Sequence, residues 1–372
     1  MIKVGITGQS GFIGTHLCNY LSLYKNEITI VPFFDEYFND QNQLETFVGK
    51  CDTIVHLAAL NRHNDPETIY KTNIELVRQL INTLEKTGNR PHILFSSSTQ
   101  EERDNVFGKS KQEGRKLFAD WAERSGGAFT GMIVPNVFGP FGKPYYNSVV
   151  ATFSYQLTHQ ELPRIEVDAQ LKLIYIGDLV RIIHYLIMNK IADSEFRIAP
   201  TDEARVTEVL ALLESFKDKY FENGIIPDLS DPFKRNLFNT FVCYIDHSKF
   251  YPFRLKQSKD ERGSFVEVAK LDSGGQISFS TTRPGVTRGN HFHTRKAERF
   301  AVIKGKAKIS LRRIGSDQVT SFDMNGEDPS FVDMPVWFTH NLTNTGDEDL
   351  YTIFWISESY DSNDPDTFFE QV

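Results

Sequence analysis

The sequence predicts an α/β domain built on a parallel sheet, followed by an all-β barrel. Three observations carry this reading. The first half alternates short apolar runs with amphipathic stretches, the pattern of strand–helix–strand units. A glycine-rich turn, Thr7-Gly8-Gln9-Ser10-Gly11-Phe12-Ile13-Gly14, separates the first strand from the first helix, where a helix N-terminus can face a diphosphate. From Gly263 onward the helix signal fades and short strand-like segments recur between Gly, Asn and Asp turns, as in a barrel or jelly roll.

In order, strands are expected over residues 2–7, 28–34, 53–58, 92–97 and 129–134. Helices are expected over about 13–23, 74–84 and 109–125. Strands separated by helices imply a parallel sheet with right-handed crossovers. In the second half the expected strands are 265–271, 276–280, 300–303, 307–312, 331–334 and 350–356. The border falls between Asp246 and Arg254, giving domains 1–250 and 251–372.

The 372 residues are 40% apolar and 24% charged, an ordinary globular composition. A net charge of −8, from 41 basic and 49 acidic side chains, argues against a nucleic-acid partner and suits small-molecule chemistry with local basic pockets. Cys18, Cys51 and Cys243 are scattered, which excludes a disulfide scaffold or thiolate zinc site and suits a reducing compartment. The chain opens on no secretory signal and contains no long apolar run, so a soluble, cytoplasmic protein with no membrane partner is expected. Phe, at 30 residues, is over-abundant and is expected in cores and pocket walls.

Within the glycine turn, Gly8 allows the tight turn, Gly11 lets backbone amides approach a pyrophosphate, and Gly14 permits close helix–strand packing. The GxxGxxG spacing resembles that of the extended short-chain dehydrogenase/reductase (SDR) family, a Rossmann-type fold. Val55-His56-Leu57-Ala58-Ala59, Asn73, Ser96-Ser97-Ser98 and Pro135-Asn136-Val137-Phe138-Gly139-Pro140 match it as well. The resemblance implies a nicotinamide cofactor held by Gly8, Gly11, Phe12, Ile13, Asp35, Leu57, Ala58, Lys111 and Asn136. It sets Ser98, position 107 and Lys111 at the reacting carbon. Asp35, expected at the end of the second strand, is either an acid on the ribose hydroxyls, favouring NADH, or a solvated turn residue. Arg62 suits a 2′-phosphate or the substrate.

One position breaks that pattern. The family pairs a Tyr with a Lys four residues on, whereas Asn105-Val106-Phe107-Gly108-Lys109-Ser110-Lys111 keeps Lys111 and has Phe107 in place of the Tyr. Phe has no proton to give the alkoxide formed when hydride reaches a carbonyl, and general acid catalysis is worth about 10²–10⁴-fold. Three readings stay open. Phe107 is an introduced block that traps substrate, or a natural divergence in which Ser98, Thr99 or water donates, or the mark of an inactive reductase site. Cofactor binding is expected in each.

The second half carries His291-Phe292-His293, Glu298 and His340. Two histidines two apart on a strand share a face, and Glu298 and His340 are expected from neighbouring strands. Three imidazoles and a carboxylate suit a divalent transition metal, zinc foremost. The spacing from Gly285 to Gly305, and Pro335-Val336-Trp337-Phe338-Thr339-His340, resemble the two cupin motifs, with Trp337 where Gly is usual. Asp260-Glu261-Arg262-Gly263 and Arg288-Gly289-Asn290-His291 also resemble the cupin-fold sugar-nucleotide 3,5-epimerases, which use the His after Arg-Gly as a base. His291 therefore has two candidate tasks, ligand or base, and the complete ligand set favours ligand. Arg262 and Arg288 are natural partners for a diphosphate.

Both halves together, with Tyr146-Asn147-Ser148-Val149 and Asp364-Pro365-Asp366-Thr367-Phe368-Phe369, resemble the bifunctional CapF-type enzymes of bacterial capsule and O-antigen synthesis. The resemblance implies an NADPH-dependent enzyme, NADH not excluded, acting on a UDP-linked 4-keto-6-deoxy N-acetyl hexosamine on the way to UDP-N-acetyl-L-fucosamine. The cupin domain would invert C3 and the SDR domain then reduce C4, giving UDP-2-acetamido-2,6-dideoxy-L-talose. The resemblance further implies zinc on His291, His293, Glu298 and His340, substrate contacts from Arg262, Arg288 and Asn147, and a homodimer through the cupin domain. Two alternatives stand beside it: a C3 epimerase whose SDR half binds cofactor but reduces poorly, and a non-catalytic cofactor-sensing scaffold.

Overall fold

Residues Ile2–Thr7 form strand β1, with Val4 and Ile6 fully buried. The strands that follow are Ile28–Val31 (β2), Thr53–His56 (β3), His92–Ser98 (β4), Phe129–Val134 (β5), Asn136–Phe138 (β6), Gln170–Tyr175 (β7), Asp193–Arg197 (β8) and Asp202–Arg205 (β9). In this computed structural model all residues are described except 256, 261–262, 267–268, 273–274 and 359–360; for 257–260, 263–266, 270 and 276 only the backbone is described. A six-stranded parallel sheet has the order β2-β1-β3-β4-β5-β8, and β6, β7 and β9 form a second sheet. This is the Rossmann-type half that the alternating pattern predicts.

The helices are Phe12–Leu21 (α1), Gln41–Val48 (α2), Pro66–Thr87 (α3), Val106–Ser125 (α4), Val149–Thr158 (α5) and Ile176–Asn189 (α6). Local chemistry explains where the observed bounds differ from the expected ones. β2 stops at Val31, not Phe34, because Pro32 has no N–H for the ladder. α3 starts earlier than expected, where Asp65 accepts from the Glu67 amide and Pro66 occupies the first turn, a strong start signal. α4 starts at Val106 because Asn105 accepts from the Gly108 amide at 2.8 Å. Phe33, Phe47, Phe95, Phe118, Phe129 and Trp121 share one apolar cluster, which accounts for part of the Phe surplus.

Beyond α6 come Val206–Phe216 (α7), Ile225–Ile226 (β10), Pro232–Val242 (α8) and His247–Phe250 (α9). Every later described element is a strand: Phe253–Arg254 (β11), Gln257–Asp260 (β12), Gly263–Val266 (β13), Lys270–Leu271 (β14), Gln276–Thr282 (β15), Thr287–Phe292 (β16), Glu298–Lys304 (β17), Lys306–Arg313 (β18), Val319–Asn325 (β19), Ser330–Met334 (β20), Phe338–Asn344 (β21), Leu350–Ile356 (β22) and Phe368–Phe369 (β23). Two five-stranded antiparallel sheets, β11-β20-β17-β22-β15 and β19-β18-β21-β16-β23, form the barrel. Ala301, Ile309, Leu311, Phe331, Val332 and Leu342 are buried in its core. The strand expected over 265–271 falls partly outside the described residues. No strand is expected over β19, and over β16 and β21 only at their histidines, because polar residues are frequent in all three.

The chain divides into two compact units, and the division is not the single cut expected at 250/251. One holds residues 1–138, 145–148 and 170–204; the other holds 139–144, 149–169 and 205–372. Residues 205–250 go with the barrel strands because polar groups from both are buried together. Arg299 Nε and Nη2 donate to the Asp333 carboxylate at 2.8 and 3.0 Å, and Nη1 to the Gly224 carbonyl at 3.1 Å. The Tyr220 hydroxyl donates to Asp333 and lies 2.8 Å from the Tyr251 hydroxyl. The guanidinium also stacks 3.7 Å from the Phe331 ring centre. Among the described residues no helix is long and apolar enough to cross a membrane.

Burial lowers the Arg299 guanidinium to about 10, so it stays charged at neutral pH. Removing its carboxylate partner strands a charge in the interior. Asp333→Ala is expected to cost about 3–5 kcal/mol, read as a shift in the denaturant unfolding midpoint; a cost under about 1 kcal/mol, typical of surface pairs, would contradict it.

Candidate functional sites

The chain turns at Gly8 with φ of 70°, a conformation glycine adopts without strain. A Cβ on Gly8 would lie 2.8 Å from the Ala58 amide nitrogen, and one on Gly14 only 2.2 Å from the Gly8 carbonyl oxygen. The turn is thus packed directly against α1 and the end of β3. Gly11 supplies no side-chain cap and the first turn of α1 has no acid, so its amides are open to an anion. Phe12 and Ile13 begin the helix half-buried. Thr7 Oγ1 lies 2.8 Å from His56 Nδ1 and accepts from the Ala58 amide at 3.3 Å, which fixes Leu57 and Ala58 beside the turn. Burial pushes His56 down to about 3, so its ring is neutral. This cradle, which only missing Cβ atoms keep open, fits a dinucleotide diphosphate.

Two expected cofactor residues sit differently. Asp35 is exposed in the 3₁₀ turn Asp35–Asn39, past the end of β2 rather than on it. Asn136 opens β6 exposed, its amide donating to the Lys172 carbonyl at 3.2 Å.

Ser98 ends β4 and its Oγ accepts from the Gln100 amide at 3.2 Å. Phe107 and Lys111 lie one turn apart on α4, on one face. Gly108 lets that helix touch the preceding turn, since a Cβ there would meet the Gln100 carbonyl oxygen at 2.0 Å. Lys111 is buried, its amine 4.9 Å from the centre of the Phe95 ring and 5.7 Å from that of Phe107. Burial pushes this ammonium down to about 8, against the pull of the Glu101 carboxylate. Asn73 ties the loop after β3 to α4: it accepts from the Leu60 amide at 2.6 Å and donates to the Leu60 carbonyl at 3.1 Å and Ser110 Oγ at 3.0 Å. Sequence reading missed Glu101, which accepts from the Ser97 hydroxyl and from Arg115 at 3.0 and 2.9 Å. No spacing signal marks that buried pair.

The barrel brings His291, His293, Glu298 and His340 together, with their ligand atoms within 4.8 Å of one another. His291 on β16 and His340 on β21 are register partners in one sheet. His293 follows directly after β16 ends at Phe292. Glu298 opens β17 in the other sheet, so it does not come from a strand neighbouring that of His291, as expected, whereas His340 does. Its Oε2 lies 3.0 Å from His340 Nε2 and 3.3 Å from His293 Nε2. All three atoms are buried and without a hydrogen bond.

The imidazoles are oriented from behind. His293 Nδ1 meets the Asp366 carbonyl at 2.5 Å and His340 Nδ1 the Phe338 carbonyl at 3.3 Å. Each Nδ1–H therefore donates to the backbone and each Nε2 lone pair faces Glu298. Burial, and then the neighbouring imidazoles, push His291 down to about 4. Four ligand atoms around an ion at about 2.1 Å lie about 3.4 Å apart in a tetrahedron, close to the 3.0 and 3.3 Å between Glu298 Oε2 and the two imidazole nitrogens. The donor set fits a divalent metal.

Trp337 holds φ at 61° and is buried, which explains why a Gly suits this place; the indole stacks 5.4 Å from Phe292. Arg288 is exposed and donates to the Thr281 carbonyl at 2.9 Å. Asn147 is exposed in a turn. Arg262 lies outside the described residues.

Comparison with known proteins agrees with both halves. Residues 4–199 match the NAD dependent epimerase/dehydratase family and residues 258–368 the polysaccharide biosynthesis C-terminal domain. A UDP-2-acetamido-2,6-beta-L-arabino-hexul-4-ose reductase of Pseudomonas aeruginosa is 32% identical over 371 residues, covering 99% of this chain and 98% of the relative. The crystal structure of the capsular polysaccharide assembling protein CapF from Staphylococcus aureus is 32% identical, with a TM-score of 0.64 and all of both chains covered. A structure of CapF with the inhibitor 3-isopropenyl-tropolone is 30% identical, with a TM-score of 0.60 over the same coverage. The glycine cradle, the His/Glu cluster and this full-length likeness together make the chain a member of the NAD dependent epimerase/dehydratase family, of the CapF type.

Proposed function

We propose that the chain is a bifunctional UDP-sugar enzyme of capsule or O-antigen synthesis. The barrel epimerises C3 of a UDP-2-acetamido-2,6-dideoxy-hexos-4-ulose. The Rossmann half then reduces C4 with NADPH to UDP-2-acetamido-2,6-dideoxy-L-talose. The observation that carries the reading is the pairing, in one chain, of the open glycine turn with three buried, mutually unbonded donor atoms on His293, Glu298 and His340. The reductase named among the relatives acts on a sugar of this kind. The tropolone bound to a CapF presents two adjacent oxygens, as a chelator does.

His291, His293, Glu298 and His340 would hold a divalent ion, zinc by its donor set, whose positive charge would polarise the substrate ketone and so acidify C3; the backbone bonds at Nδ1 aim the imidazoles of His293 and His340. Phe300, 6.3 Å from His340 and stacked on Phe354, shields the cluster on one side. Arg262, Arg288 and Asn147 are assigned to the UDP-sugar. In the other half, Gly8, Gly11, Phe12 and Ile13 offer α1 amides to the diphosphate, with Asp35, Leu57, Ala58 and Asn136 around the cofactor. Lys111 orients the ribose through its charge. Ser98 Oγ accepts from a backbone amide and keeps its own proton for the carbonyl oxygen. Pairing of two chains through the barrel is supported by edge strand β15, which exposes Ile277 at 47% and Phe279 at 69%. A cytoplasmic setting belongs to the same proposal.

A second reading, C3 epimerase only, is favoured by one observation: a Phe107 ring lies where a hydroxyl is needed, beside Lys111. Phe107→Tyr distinguishes the two. If the missing hydroxyl limits reduction, the variant oxidises NADPH with the ketosugar about 10²–10⁴-fold faster, while deuterium exchange at C3 is unchanged. No rise would mean that another group already donates.

Two further outcomes are expected. C3 exchange should stop when the chain is stripped by a chelator and return with zinc; exchange that persists in the metal-free chain would overturn the role of the His/Glu cluster. NADPH affinity should fall as pH rises through about 8, where Lys111 loses its charge, and Lys111→Met should abolish that step in a fluorescence titration.

A further inference from the structure

One segment outside the ligand set is fastened to the metal cluster at several points. Asp366 is buried and holds φ at 41°, an uncommon conformation that Asp and Asn tolerate better than most residues. Its carbonyl accepts from His293 Nδ1. Its carboxylate accepts from the Thr294 amide at 3.1 and 3.2 Å, the Thr294 hydroxyl at 2.6 Å and the Arg295 amide at 3.0 Å. One residue thus grips both the ring of His293 and the two backbone amides that follow it.

The neighbours of Asp366 brace it. The fully buried Lys296 donates to the Pro365 carbonyl at 2.9 Å, and Arg295 to the Asp364 carbonyl at 3.1 Å. Phe368 stacks 5.5 Å from Phe292, between the two histidines in sequence. Further on, the Glu370 carbonyl accepts from Thr339, next to His340, and the Glu370 carboxylate pairs with Arg312 at 2.8 Å.

We propose that Asp366 is a positioning residue of the metal centre: it fixes the tautomer and angle of His293 and so sets metal affinity. The inference rests on the His/Glu cluster holding a metal. Without the carboxylate, the Asp366 carbonyl that accepts from His293 Nδ1 is no longer anchored to the Thr294 and Arg295 amides and shifts off the ring, and loss of such outer partners typically weakens metal binding about 10–100-fold.

The test is a zinc titration of the metal-stripped full chain against a chromophoric chelator, with far-ultraviolet circular dichroism as a fold check. Asp366→Ala and Asp366→Gly are expected to bind zinc about 10–100-fold more weakly than the parent. Asp366→Asn, which keeps an acceptor for Thr294, should recover most of that affinity. Cobalt(II) in place of zinc should show an altered d–d spectrum in the Ala and Gly variants and the parent spectrum in Asn. If the Ala variant fails to fold, the Gly variant, which tolerates the positive φ, decides. Parent-like zinc affinity in a folded Ala or Gly variant would overturn the role of Asp366 alone. A parent chain that binds no zinc would overturn the metal reading beneath it.

Discussion

A buried carboxylate facing two imidazole nitrogens at 3.0 and 3.3 Å, with no hydrogen bond to either, is the constraint around which the barrel is arranged. Burying polar atoms without partners costs a few kcal/mol each, and a fold tolerates such a cost where a ligand repays it. Glu298 opens a strand of one sheet and His340 sits mid-strand in the other, so the cluster exists only when the two sheets close on each other. His293 and His340 are also gripped from behind by backbone, through Asp366 and Phe338. The apolar core on the same strands provides the stiffness that this geometry needs.

The other unit solves its problem by omission. Its binding turn is defined by Cβ atoms that are absent at Gly8 and Gly14, and its helix α4 approaches the end of β4 because Gly108 has none. Against that frame, Lys111 is a cation enclosed by the Phe95 and Phe107 rings. A Tyr at 107 would offer a proton there; Phe offers only a π-face and a drier surrounding, which contributes to the lowered ammonium pKa. The Glu101–Arg115 pair beneath shows how the turn after Ser98 is anchored although none of its partners belongs to the expected site.

Much of this was legible beforehand, for reasons particular residues make plain. The strand–turn–helix at Gly8–Gly14 and the apolar strands β1, β4, β5 and β22 carry a local signal, so they were read nearly to the residue. β19 was not, and β16 and β21 only at their histidines, because their polar side chains mimic loops. Asp35 was set at a strand end that Pro32 cuts short. Residues 205–250 join the barrel where Arg299 donates to the Gly224 carbonyl and Tyr220 to Asp333, pairings between residues 75 and 113 apart that no local pattern announces.

The sequence by itself determined which chemical groups are present: three histidines and one glutamate at a spacing that suits a metal, three glycines at a spacing that suits a diphosphate, a lysine without its tyrosine. Residue type and spacing are local properties, and they suffice for that. Only the tertiary structure decided that Glu298 reaches the histidines from the opposite sheet, that Trp337 occupies a glycine-like backbone conformation, and that Asp366 stands behind His293 from 73 residues away. Those relations depend on long-range closure of the barrel, where register and packing, not propensity, bring distant side chains within hydrogen-bond reach.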